Sequence, residues 1–307
     1  MRLGIAAILG AIAFAFYGVC DAATDEKLDI RGEWKHDLFP ICKGGQRGWI
    51  WGFINDQGKI IIEPMYESVS YFSEDMAAVR IKGKYGYIDK KNTFVIQPQF
   101  ESAQSFREGL AAVRTAAKTG FIDKTGSFVI DFPPDTFCVE FREGLAKTSP
   151  LVDQTRVTKV GFIDRTGKYA IEPRFDAAWD FEDGMASVEM GGKWGFIDKT
   201  GHLVIELQYD SASYFSEGLA AVQSAGKAFF VDKKGARAIP KDFQEATGFV
   251  EGLSGAKIDG KWGFIDKHGN IVIEPQFDQV SSFFNGMASI VMNKKYGYID
   301  KEGKVVV

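Results

Sequence analysis

Lys193-Trp194-Gly195-Phe196-Ile197-Asp198-Lys199-Thr200-Gly201 decides the fold, because recognisable copies of it recur along the chain. The position of Asp198 is filled in turn by Asn55, Asp89, Asp123, Asp164, Asp198, Asp232, Asp266 and Asp300, at intervals of 34, 34, 41, 34, 34, 34 and 34 residues. A fixed period of this kind marks one supersecondary unit copied and stacked. A second anchor runs in phase. The glycine of a Glu-Gly-Leu/Met signature falls at Gly109, Gly144, Gly184, Gly218, Gly252 and Gly286, with Asp75 in the first place, and follows the preceding Asp anchor by 20 residues, or by 21 at Gly144.

A period of 34 residues also suits a helical repeat, so the pattern inside the unit has to decide. Each copy holds three short apolar runs bounded by turn residues, and alternation describes them better than a 3.6-residue period. Met185-Ala186-Ser187-Val188-Glu189 alternates, turns at Gly191-Gly192, and returns as Lys193 to Ile197. This is a hairpin, and the turn Asp259-Gly260 is a strong two-residue version of it because both positions tolerate positive φ. A second turn, Asp-x-x-Gly, leads to a third strand such as Leu203-Val204-Ile205, with Asn92 the one non-glycine at its last position. Glu-Pro pairs at Glu63-Pro64, Glu172-Pro173 and Glu274-Pro275 then remove a ladder donor and stop the strand. A linker follows with two aromatic plugs, for example Phe277 and Phe283.

Lys193-Trp194-Gly195-Phe196-Ile197-Asp198, and Lys261-Trp262-Gly263-Phe264-Ile265-Asp266 with Ile273-Glu274-Pro275-Gln276-Phe277, resemble the WG-repeat (KWG-repeat) family of bacterial proteins. The resemblance covers about residues 40 to 307. It implies β-rich repeats used in binding or scaffolding, with no general catalytic activity. Two copies depart from the pattern: the third has Thr119 for the aromatic and lacks Glu-Pro, and the sixth has Ala228-Phe229 for Trp-Gly.

The fold expected is all-β: eight three-stranded antiparallel modules of about 34 residues across residues 41–307, open and gently superhelical, with 23–40 as a lead-in or cap. A closed propeller is the alternative, although its four-stranded blades usually need about 40 to 45 residues. Met1-Arg2 and the uncharged run Leu3 to Cys20, followed by Ala22-Ala23, read as a signal peptide over residues 1–22. The mature chain is then expected to be periplasmic or secreted, with no stable membrane span. The alternatives are a lipoprotein acylated at Cys20 or a retained signal anchor. After cleavage Cys42 and Cys138 remain, and whether they pair is open because bonding needs Cα atoms within about 7 Å.

Composition narrows function. With 45% apolar and 25% charged residues the chain is folded rather than disordered, and a net charge of -4 lacks the basic surplus of nucleic-acid binders. Only three histidines accompany 34 glycines and 26 phenylalanines, a poor inventory for acid–base catalysis. Nucleophile-elbow, phosphate-loop and zinc-protease motifs are absent, and neither catalytic residues, a metal nor a cofactor is expected.

The repeat-defining residues are Trp51, Gly52, Tyr85, Gly86, Asp89, Trp194, Gly195, Asp198, Trp262, Gly263, Asp266, Tyr296, Gly297 and Asp300. The aromatic row is read as core between neighbouring repeats, with a surface stacking row as the alternative. The recurring Asp is read as a turn cap. Lysines before the aromatic and acids before the signature glycine form two charged rows, read as solvated rims that keep edges soluble. The seven extra residues lie in the irregular region 131–159, where Ser149, Leu151, Gln154 and Arg156 form a candidate binding loop or the product of drift in a degenerate copy. The function expected is an exported, non-enzymatic binding or scaffold module for a protein, peptide or envelope glycan. The rival is a purely structural envelope component.

Overall fold

The computed structural model describes residues 38–45, 48–55, 57–134, 136–149, 159–284 and 286–306. The leader, most of the lead-in, and Leu151, Gln154 and Arg156 lie outside the described residues. Described residues form strands and turns with no helix, arranged as small antiparallel sheets in tandem, none closed into a barrel. The chain divides into two compact units, residues 1–156 with 164–168, and residues 157–163 with 169–307.

In the first unit, Phe39–Gly45, Gly48–Ile54 and Ile60–Tyr66 make the first sheet. The next runs Ser68–Val69, Ala77–Ile81, Lys84–Ile88 and Phe94–Phe100, followed by Ser102–Ala103, Ala111–Arg114, Thr119–Ile122 and Phe128–Phe132. The hairpin Phe137–Arg142 with Leu145–Ser149 completes the strands of this unit. The second unit begins with Val160–Ile163 paired to Tyr169–Phe175, then repeats the meander as Ala177–Ala178, Met185–Met190, Lys193–Asp198 and Leu203–Tyr209.

A typical sheet therefore has four strands where the sequence pattern indicates three. The extra strand is the start of the linker, as at Ala177↔Glu189 and Ala178↔Val188. Two residues are too short for alternation to show, so only the tertiary pairing reveals them.

Packing explains why copies must stack. The aromatic two places after the Trp position is fully buried and meets the second plug of the following linker: Tyr87–Phe106 at 4.8 Å and Phe121–Phe141 at 4.7 Å in the first unit, Phe196–Phe215 at 4.7 Å and Phe264–Phe283 at 4.8 Å in the second. Tilted and edge-to-face rings at such separations add about 0.5–1.5 kcal/mol to the area they bury. A lone copy would leave both rings half wet, which is why neighbouring copies are needed.

The sixth copy shows what the glycine after the aromatic does. In the fifth copy a Cβ at Gly195 would stand 2.5 Å from the carbonyl oxygen of Ile205, so the third strand approaches only because no side chain is there. A register shift between Trp194 and Phe196 marks the bulge. With Phe229 at this position the third strand is reduced to isolated bridges, Ala228↔Phe243 and Val231↔Arg237, and the sheet keeps three strands.

Candidate functional site

The recurring Asp caps its turn as its spacing implies. Asp198 Oδ1 accepts the N–H groups of Thr200 at 2.9 Å and His202 at 3.1 Å, and the other seven positions, from Asn55 to Asp300, make the same pair of bonds. The Thr200 hydroxyl adds a third bond and holds the Asp198 carboxyl below the usual carboxylate range. Among the described residues no cluster of His, Cys, Asp and Glu is placed to hold a metal ion. Asn92, the exception to glycine, sits at φ 64° and accepts the Tyr66 hydroxyl at 2.6 Å.

The two charged rows are more than solvated rims. Lys193 Nζ reaches Asp210 at 2.6 Å while the other oxygen of Asp210 accepts the hairpin-turn N–H of Ala225 at 2.9 Å. The same brace joins Lys261, Asp278 and the Asn293 N–H. These lysines hold down the Asp210 and Asp278 carboxyls below their ordinary values.

The acid of the Glu-Gly signature does something the sequence reading missed. Glu217 and Gly218, at φ 54° and 86°, are the central pair of a primed turn closed by Leu219 N–H to Ser216 O at 3.2 Å, with the return bond Ser216 N–H to Leu219 O at 2.9 Å. Asn, Asp or Gly is the usual choice for such a position, so a Glu in left-handed geometry needs a compensating contact. The contact lies in the next copy: Glu217 accepts the Gly252 N–H at 3.1 Å and pairs with Lys267 at 2.9 Å. Partial burial pushes the Glu217 carboxyl up, but these two partners outweigh it and the net shift is downward. Glu251 makes the matching staple with Gly286 N–H and Lys301, and in the first unit Glu74 makes it with Gly109 N–H and Lys124. The signal in sequence was the residue type: a long acid where a short turn residue belongs.

The aromatic row is not the core. Trp51, Tyr85, Trp194 and Trp262 are half-buried, the last three at the margin of the packed clusters, and Tyr296 is 83% exposed. Trp194 and Phe196 share a face, yet the bulge at Gly195 and the linker plug bury Phe196 alone. Trp194 pairs across the sheet with Tyr209, and Tyr296 pairs with Val291 in its hairpin. Gly52, Gly86 and Gly263 make the same close approach as Gly195, and Gly297 is buried opposite Ile290. Cys42 and Cys138 are not joined in a disulfide, and burial raises the Cys138 thiol to about 11. Ser149 is buried opposite Phe137 at the end of its hairpin, and the rest of the candidate loop lies outside the described residues.

What remains outward-facing in register is aliphatic. Ile61, Val95 and Val129 in the first unit, and Val204 and Val272 in the second, occupy one equivalent position on the terminal strand of their sheets, between 43% and 56% exposed.

Stacked antiparallel meanders, with staples between neighbouring copies inside each unit, define a β-rich repeat protein. The sequence profile of the WG containing repeat matches residues 51–85, 85–118, 161–194, 194–227, 229–262 and 262–296, more than half of the chain, and the protein belongs to this family. The unmatched stretch between 118 and 161 holds the degenerate third copy and the insertion. No curated protein gives a significant sequence match. Among solved structures the chain is similar to a eukaryotic initiation factor, at 8% identity and TM-score 0.59 over 93% of this chain and 88% of that one. It is also similar to protein lmo1340 of Listeria monocytogenes (14%, TM-score 0.44, 78% and 93%) and to Hsv2 of Kluyveromyces lactis (10%, TM-score 0.43, 83% and 89%). The first likeness shows a shared fold and says nothing about activity.

Proposed function

We propose that the protein is an exported, non-enzymatic repeat protein that acts as a binding or scaffold module for a protein, peptide or envelope glycan. The supporting observation is the aliphatic row. Its five members sit on the last strand of the first, second, third, fifth and seventh meanders, where the fold requires only that the alternate residues, such as Ile62 and Ile205, be buried. Apolar side chains kept in register on a repeat surface suit a contact surface that extends over several copies. Export rests on the leader at residues 1–22.

Affinity capture from the extracytoplasmic fraction, with the intact chain as bait, tests this reading. A defined partner should be retained, and Val204→Lys with Val272→Lys should weaken its retention at unchanged thermal stability. The rival, a structural envelope component, is favoured by the staples that brace neighbouring copies within each unit. It would retain no defined partner.

A further inference from the structure

In four copies the residue two places before the second plug carries a hydroxyl with a fixed task. Ser213 Oγ accepts the N–H of Ala221 at 3.0 Å and donates to the carbonyl of Tyr214 at 3.0 Å, and Ser70, Thr247 and Ser281 repeat both bonds. The fifth copy has Trp179 there. The backbone is unchanged, because Trp179 N–H still donates to Ser187 O at 2.9 Å, as Ser213 N–H does to Ala221 O. Two side-chain bonds have been exchanged for an indole that is 47% exposed.

Trp179 meets Tyr214 edge to face at 6.4 Å, and Tyr214 is itself 37% exposed. The next copy supplies Gly248, where a Cβ would stand 3.9 Å from the Tyr214 ring, and the copy after that has Ser282 at the same position. The aromatic pair is thus followed, at the position of Tyr214, by the small residues Gly248 and Ser282 in the next two copies of the second unit. Stability does not call for this, since a serine at position 179 would restore both bonds.

We propose that Trp179 and Tyr214 form a binding site for a neutral glycan; this rests on the binding-module reading and names its ligand class. Half-exposed Trp and Tyr offer an apolar ring for the C–H face of a pyranose and a polar tip for its hydroxyls. Gly248, with no side chain, leaves room for the next sugar. The positions that make up the row carry no Lys or Arg, which disfavours anionic polymers.

Titration calorimetry and tryptophan fluorescence of the full chain with cellohexaose, chitohexaose and mannohexaose test the proposal. At least one should bind and quench fluorescence. Trp179→Ser should weaken it at least tenfold while the melting temperature holds or rises. Gly248→Gln, which sets a long side chain against the Tyr214 ring, should weaken it several-fold. Unchanged binding by Trp179→Ser, or a lowered melting temperature that makes the indole a packing residue, overturns the proposal. So does quenching by tetramethylammonium but by none of the three glycans, which would make the pair a cation site. Retention of a protein partner equally by the parent chain and Trp179→Ser, without glycan binding, would sink this site and leave the binding-module reading standing.

Discussion

At the scale of the residue, exposure separates side chains that the repeat pattern treats alike. Trp194 and Phe196 recur with the same regularity, but only Phe196 is fully buried, against Phe215 of the next linker. Phe196→Ala should therefore cost about 3–5 kcal/mol, as for large core deletions, and Trp194→Ala less, about 1–3 kcal/mol, by urea denaturation. Equal losses would return the indole to the core. Ser187 gives the opposite sign. It is fully buried and its hydroxyl has no partner, whereas the equivalent positions in three other copies hold Ala78, Ala112 and Ala221. Relieving an unsatisfied buried hydroxyl is worth about 1 kcal/mol, so Ser187→Ala should raise the melting temperature. A drop would mean that the hydroxyl is satisfied by a group such as a buried water.

At the scale of the element, the Glu-Gly turn shows local preference giving way to a contact between copies. Glu217 keeps an unfavourable left-handed conformation because its carboxylate takes the Gly252 N–H and Lys267 of the next copy. Glu217→Asn would suit the turn and shorten the reach. It should destabilise the array by about 1 kcal/mol, after allowing for the solvent around a partly exposed pair. Amide exchange should quicken at Gly252 and leave Ser216 to Leu219 protected; faster exchange confined to the turn would show that the acid serves only its own copy. Alternation and turn chemistry made this hairpin grammar legible from Met185 to Ile205. The staple was not legible, because its partners stand 35 and 50 residues apart and belong to different copies.

At the scale of the whole molecule, carboxylates with lowered pKa values link stability to pH. Asp123, Asp164 and Asp198 are held down by threonine hydroxyls, and Asp176, Asp210 and Asp278 by lysines. Their folded values lie below the unfolded value of about 4, so their contribution is complete above that pH and is lost as pH falls through the folded values. The urea midpoint should be level between about pH 7 and 5 and decline below about 4. A midpoint that stays level to pH 2 would mean that these turns and braces contribute nothing. The sequence by itself determined the 34-residue period, the antiparallel hairpins, the capped Asp turns and the departures of the third and sixth copies, because each rests on interactions within one unit or on direct comparison of units. Tertiary structure alone decided the fourth strand, the burial of Phe196 over Trp194, the staple at Glu217, and the meeting of Trp179 with Tyr214. The physical reason is common to all four: each depends on what the adjoining copy or linker lays against a surface, and a period in sequence does not say which side of a residue its neighbour will cover.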